Sequence, residues 1–266
     1  MERINLMGID TAMSLHPGSM YKEPVMYLHG GASTSSSGKV LVEFCMKKRH
    51  TILTPDLPGN GYSGPLINGK YNVEYLAEIY FEILQQKGIS SAVLAGHSLG
   101  GMISLQYALL YPNNVSGLIL LGTYDASPTK GNKNISREQL LSLVQKAEEK
   151  YKPGVVHDLS ELDPMSEERI IEAGLESTHP ESLERLIHAV LNFDVREQIR
   201  ESHNIPPTLI FAGSEDRIMT VKMARRMQRR IKCSKLEIAT GEHNFLLQNP
   251  EAVKKALEKH YDYLFR

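Results

Sequence analysis

Short apolar runs recur along this chain, and most stop at glycine, proline or aspartate. Residues 24–28 lead into His29-Gly30-Gly31, residues 51–54 into Pro55-Asp56, and residues 92–95 into Gly96. Residues 117–121, 208–211 and 235–238 repeat the pattern. Runs of four or five such residues read as strands buried on both faces. Between them lie helical periodicities: Tyr75, Leu76, Ile79 and Ile83, then Met102, Leu105, Leu109 and Leu110. Alternating strand and helix predicts a parallel sheet joined by right-handed crossovers. Residues 2–21 predict an antiparallel hairpin at one sheet edge, turning near Gly8-Ile9-Asp10.

The alternation stops over residues 125–205, which contain no strand-like run. Helical stretches are expected there over 136–150, 166–176 and 180–201, the last with a break. Ser136 and Ser166 are placed as N-caps, each with acidic residues in the first turn. The expected organisation is a core of residues 1–124 and 206–266 interrupted by a helical cap over 125–205. Leu140, Leu143, Val144, Leu175, Leu186, Ile187, Val190 and Leu191 form its apolar stripes. The Ser33-Thr34-Ser35-Ser36-Ser37 tract reads as a loop entering a helix.

Composition narrows the function classes. The 266 residues are 41% hydrophobic and 23% charged, with a net charge of −1. That balance leaves no electrostatic footprint for nucleic acid or an anionic membrane. Arg225, Arg226, Arg229, Arg230 and Lys232 read as a solvated helix face. Cys45 and Cys233 form no disulfide framework and no metal or redox motif, and both are expected as buried apolar fillers. No run approaches about 18 apolar residues, and Met1-Glu2-Arg3-Ile4-Asn5 lacks the pattern of a secretory signal, so a cytoplasmic location is expected. There is no metal-ligand spacing and no phosphate-binding glycine loop, so neither metal nor cofactor is expected.

Gly96-His97-Ser98-Leu99-Gly100 matches G-x-S-x-G and lies between an expected strand and an expected helix. The serine in such a turn is held in a strained conformation, and glycines two residues away remove the clashes that side chains would cause. Four further landmarks stand along the chain, two before this turn and two after it. They are His29-Gly30-Gly31, Asp56-Leu57-Pro58-Gly59-Asn60-Gly61-Tyr62-Ser63, Gly213-Ser214-Glu215-Asp216 and Gly241-Glu242-His243. Together they resemble the α/β-hydrolase superfamily over nearly the whole chain.

The resemblance implies an α/β fold: a mostly parallel eight-stranded sheet flanked by helices, with an inserted helical cap. It implies Ser98 as nucleophile, His243 as base and Asp216 as orienting acid, with backbone N–H groups of Gly31 and Leu99 forming an oxyanion hole. Ala32 or Ser33 could contribute to that hole if the loop is shifted. Asp125, just past residues 117–121, is the rival acid. His29 is expected to anchor its loop, His97 to point away from the nucleophile, Asp56 to organise its turn, and Gln248 to matter little.

The implied activity is hydrolysis of a carboxylic ester, or related acyl bond, of a small to medium substrate through an acyl-enzyme. The same three residues also suit an acyltransferase or a carbon–carbon bond hydrolase, and the fold also suits a non-catalytic ligand receptor. The expected partner is a small acyl substrate rather than nucleic acid or membrane, with a homodimer left open as the assembly. A serine at the elbow argues against haloalkane dehalogenases and epoxide hydrolases, which resemble this chain but carry aspartate there. His29-Gly30-Gly31-Ala32 lacks the Gly-Gly-Pro-Gly of proline iminopeptidases, and the absence of tryptophan removes any tryptophan-dependent acyl pocket.

Overall fold

A computed structural model describes residues 1–65, 71–163 and 165–265. The chain opens with β1 (Glu2–Leu6) and β2 (Ile9–His16), paired antiparallel from Glu2 opposite Met13 to Leu6 opposite Ile9. Their turn is Met7-Gly8, one residue earlier than expected. Its φ angles of 49° and 87° are both positive, as a two-residue hairpin turn of this hand requires.

The next elements are β3 (Val25–Leu28), a 3₁₀ turn over Ser35–Gly38, α1 (Lys39–Lys48), β4 (Ile52–Pro55), α2 (Val73–Gln86), β5 (Ala92–His97), α3 (Leu99–Leu110) and β6 (Val115–Leu121). A helical insert follows: α4 (Pro128–Gly131), α5 (Arg137–Lys150), α6 (Glu167–Glu176), α7 (Pro180–Asn192) and α8 (Arg196–Glu201). The chain then returns through β7 (Thr208–Gly213), α9 (Val221–Arg230), β8 (Ser234–Ala239), α10 (Phe245–Gln248), α11 (Pro250–Lys259) and α12 (Tyr261–Leu264).

The eight strands form one sheet in the order β1-β2-β4-β3-β5-β6-β7-β8, parallel from β4 onward. Side chains alternate across it with the strand period of two. On β3, Met26 and Leu28 join one core with α2 and α3, while Val25 and Tyr27 join the other with α1 and α11. All four are wholly buried, and such a residue contributes roughly 1.5–3 kcal/mol. Among the described residues no helix is long and apolar enough to cross a membrane.

Local signals explain the insert. The Ser136 hydroxyl accepts from Gln139 N–H at 3.2 Å, and Gln139 Oε1 accepts from Ser136 N–H at 2.7 Å, closing a capping box on α5. The Ser166 hydroxyl caps α6 by accepting from Arg169 N–H at 3.3 Å. The break between α7 and α8 falls where Val195 N–H turns to the Asp125 carbonyl at 3.0 Å. Two expectations are corrected. β8 is an edge strand with Lys235 and Ile238 exposed, so it is not buried on both faces. Cys233, in the turn before that edge, is exposed, whereas Cys45 is buried.

Candidate active site

Ser98 occupies the turn from β5 into α3 with φ 52° and ψ −117°. A non-glycine residue at positive φ costs about 1–3 kcal/mol, so the surroundings must hold it there. Ser98 N–H donates to the Leu121 carbonyl at 2.9 Å, and the Thr123 hydroxyl donates to the Ser98 carbonyl at 2.7 Å. The flanking glycines make the turn possible. A methyl group on Gly96 would stand 2.2 Å from the Gly100 carbonyl oxygen, and one on Gly100 would stand 2.0 Å from that of Leu28.

His243 lies in the loop after β8 and Asp216 in the loop after β7. The structure brings both to Ser98. The Ser98 hydroxyl donates to His243 Nε2 at 3.0 Å, and His243 Nδ1–H donates to Asp216 Oδ2 at 2.8 Å. Asp216 Oδ1 accepts from the N–H groups of Ile218 and Met219, each at 2.8 Å. The Asp216 side chain is wholly buried, while that of His243 keeps 12% of its surface open.

The electrostatics follow from this arrangement. Burial pulls the His243 pKa down, but the charge and hydrogen bond of Asp216, helped by Glu167, outweigh it and leave the pKa above its ordinary value. Burial pushes the Asp216 pKa up, but His243 and the two backbone donors bring it below the usual carboxylate value. Asp125 is engaged elsewhere. It is buried and receives two hydrogen bonds from Arg230, at 2.5 and 2.7 Å.

Gly31 and Leu99 both line the cavity over Ser98. Leu99 is the first residue of α3, and the first N–H groups of a helix have no partner within it. A methyl group on Gly30 would lie 3.2 Å from Ser98 Cβ, whereas one on Gly31 would meet Leu183 at 4.0 Å. Ala32 adopts φ 49°, and Ser33 also faces the cavity. His29 anchors its loop, with Nδ1–H donating to the Gly30 carbonyl at 2.7 Å and Nε2 accepting from Leu57 N–H at 2.8 Å. Asp56 holds its own turn by accepting from the N–H groups of Ser35 and Tyr62, at 2.7 and 3.0 Å.

Two residues have larger parts than the sequence suggested. His97 does not simply point away: its Nε2–H donates to the backbone carbonyl of His243 at 2.9 Å. Gln248 Oε1 accepts from Glu242 N–H at 2.9 Å, so it braces the histidine loop. Sequence reasoning missed Glu167. Its carboxylate accepts from the N–H and side-chain amide of Asn244, at 3.1 and 2.9 Å. A glutamate in the first turn of a helix reads as ordinary helix-end chemistry, so nothing marked it out.

The cavity measures about 150 Å³. Leu140, Leu143, Leu186, Ile187 and Val190 of the insert line it, whereas Val144, Leu175 and Leu191 pack into the insert's own core.

Comparison with known proteins adds to this picture. A family description of the alpha/beta hydrolase fold matches residues 23–144. The chain is 26% identical over 242 residues to Lipase 1 of Psychrobacter immobilis, a match covering 84% of this chain and 73% of that protein. A solved esterase from Exiguobacterium antarcticum superposes with a TM-score of 0.81 at 20% identity, covering 98% of each chain. A hydrolase from Pseudomonas aeruginosa superposes at 0.79 and 20% identity, covering 98% of this chain and 97% of that one. The chain has the α/β-hydrolase fold.

Proposed function

We propose that this protein is a serine hydrolase that cleaves a carboxylic ester, or a related acyl bond, of a small to medium substrate. The observation that carries the reading is the unbroken chain of hydrogen bonds from Ser98 through His243 to Asp216.

A serine hydroxyl is a weak nucleophile until a base takes its proton. His243 Nε2 accepts that proton as Ser98 Oγ attacks the acyl carbon, and Asp216 stabilises the resulting imidazolium. The negative oxygen that develops meets the backbone N–H groups of Leu99 and Gly31. His243 then returns the proton to the leaving alcohol, and the acyl group remains on Ser98. Water, deprotonated by the same imidazole, releases the acid. Residues 125–205 act as a cap that encloses the acyl group and keeps bulk water from the reaction.

The test is pre-steady-state hydrolysis of p-nitrophenyl butyrate. The expected result is a burst of about one p-nitrophenol per protein, with turnover reduced about 10³-fold or more in Ser98→Ala. A Ser98→Ala protein that turns over at the parent rate ends the reading.

A further inference from the structure

Among the described residues lining the cavity, Glu167 is the one carboxylate, and no lysine or arginine takes part. The rest of the wall above Ser98 is dominated by aliphatic side chains of the insert. Glu167 is fixed rather than free to swing out. Its Oε1 accepts from Asn244 Nδ2 at 2.9 Å, and its Oε2 accepts from Asn244 N–H at 3.1 Å and from Gln248 Nε2 at 3.4 Å. Asn244 is itself buried.

We infer that Glu167 is a specificity-determining residue that excludes acyl groups ending in a carboxylate and restricts the site to uncharged ones. A cavity of about 150 Å³ has room for a group the size of benzene. A terminal carboxylate placed there would lose its hydration, find no lysine or arginine to pair with, and face the Glu167 carboxyl, which burial makes harder to ionise but whose oxygens accept three N–H hydrogen bonds. An uncharged acyl chain of the same length meets none of these obstacles. In its kinetic form the inference rests on the ester-hydrolase reading. In its binding form it does not.

The kinetic arm compares kcat/KM for p-nitrophenyl butyrate with that for mono-p-nitrophenyl succinate, whose acyl chain ends in a carboxylate. The parent protein is expected to favour the neutral ester by about 100-fold or more. Glu167→Gln keeps the shape and an acceptor for Asn244 while removing the charge, and is expected to narrow that ratio about tenfold. Glu167→Asp keeps the charge and is expected to retain most of the ratio. Because each ratio is internal to one variant, partial unfolding cancels. Equal kcat/KM for the two esters in the parent, or an unchanged ratio in Glu167→Gln, overturns the inference.

The binding arm uses calorimetry on Ser98→Ala with butyranilide and its carboxylate counterpart succinanilate. Tighter binding of butyranilide is expected, with the gap closing when Glu167→Gln is added. If neither ester turns over while this binding gap persists, the hydrolase reading falls and the charge filter stands. If both esters turn over equally and both anilides bind equally, the filter falls and the hydrolase reading stands.

Discussion

The imidazoles of His97 and His243 lie 4.9 Å apart, centre to centre, and His97 Nε2–H donates to the backbone carbonyl of His243 at 2.9 Å. The residue preceding Ser98 therefore braces the backbone of the residue that, on the proposed reading, deprotonates it. Burial, reinforced by the neighbouring His243, drives the His97 pKa down to about 3, so His97 stays neutral while it does this. His97→Ala is expected to lower kcat on p-nitrophenyl butyrate about tenfold with KM little changed, since a misplaced base costs orientation rather than binding. Steady-state kinetics normalised to folded protein check this. An unaltered kcat would show that the contact serves stability alone.

The pH dependence has a definite sign. His243 accepts a proton only when neutral, and Asp216 and Glu167 raise its pKa above 6.5 despite burial. Activity should therefore rise with pH through a midpoint above 6.5 and fade as pH drops through it. Glu167→Gln removes one raising charge and is expected to move the midpoint down. Asp216→Asn should move it further and lower kcat about 10⁴-fold. Profiles of kcat/KM against pH measure both shifts, and a parent midpoint below 6.5 contradicts the electrostatic account.

Gly100 leaves no room for a side chain. Gly100→Ala would press a methyl group to 2.0 Å from the Leu28 carbonyl oxygen, which is backbone of a buried strand and has little freedom to move. The expected cost is about 3 kcal/mol, read as a lower urea midpoint accompanied by loss of burst amplitude.

Arg230→Ala would leave Asp125 buried without its partner. Destabilisation of about 3–5 kcal/mol is expected. Adding Asp125→Asn should recover part of it. Turnover per folded molecule should not change, because Asp125 serves Arg230 rather than His243. Chemical denaturation together with active-site titration separates the two effects. A severe fall in turnover per folded molecule would return Asp125 to consideration as the acid.

What could be read from the residues follows their distance along the chain. The elbow is five consecutive residues whose spacing is itself the steric requirement, and the caps Ser136 and Ser166 act within three positions, so both were legible. The wholly buried strand over residues 92–97 announces itself by composition. β8 misled because Leu236 and Ile238 resemble a buried run, while the alternating Lys235 and Glu237 mark an edge. The contacts of His97 with His243 and of Glu167 with Asn244 join residues 146 and 77 positions apart. No local pattern encodes such pairs. They exist only once the sheet has set its loops side by side.

One helix of the insert touches both the His243 loop and the Gly30–Ser33 turn. α6 starts at Glu167, bound to Asn244 next to His243. Near its far end Gly174 presses so closely on the Gly30–Ser33 turn that a methyl group there would stand 2.0 Å from the Ala32 carbonyl oxygen. Any displacement of α6 would therefore disturb the His243 loop and the Gly30–Ser33 turn together. On the hydrolase reading, the proposed base and the proposed oxyanion donors are thereby steadied by a single helix.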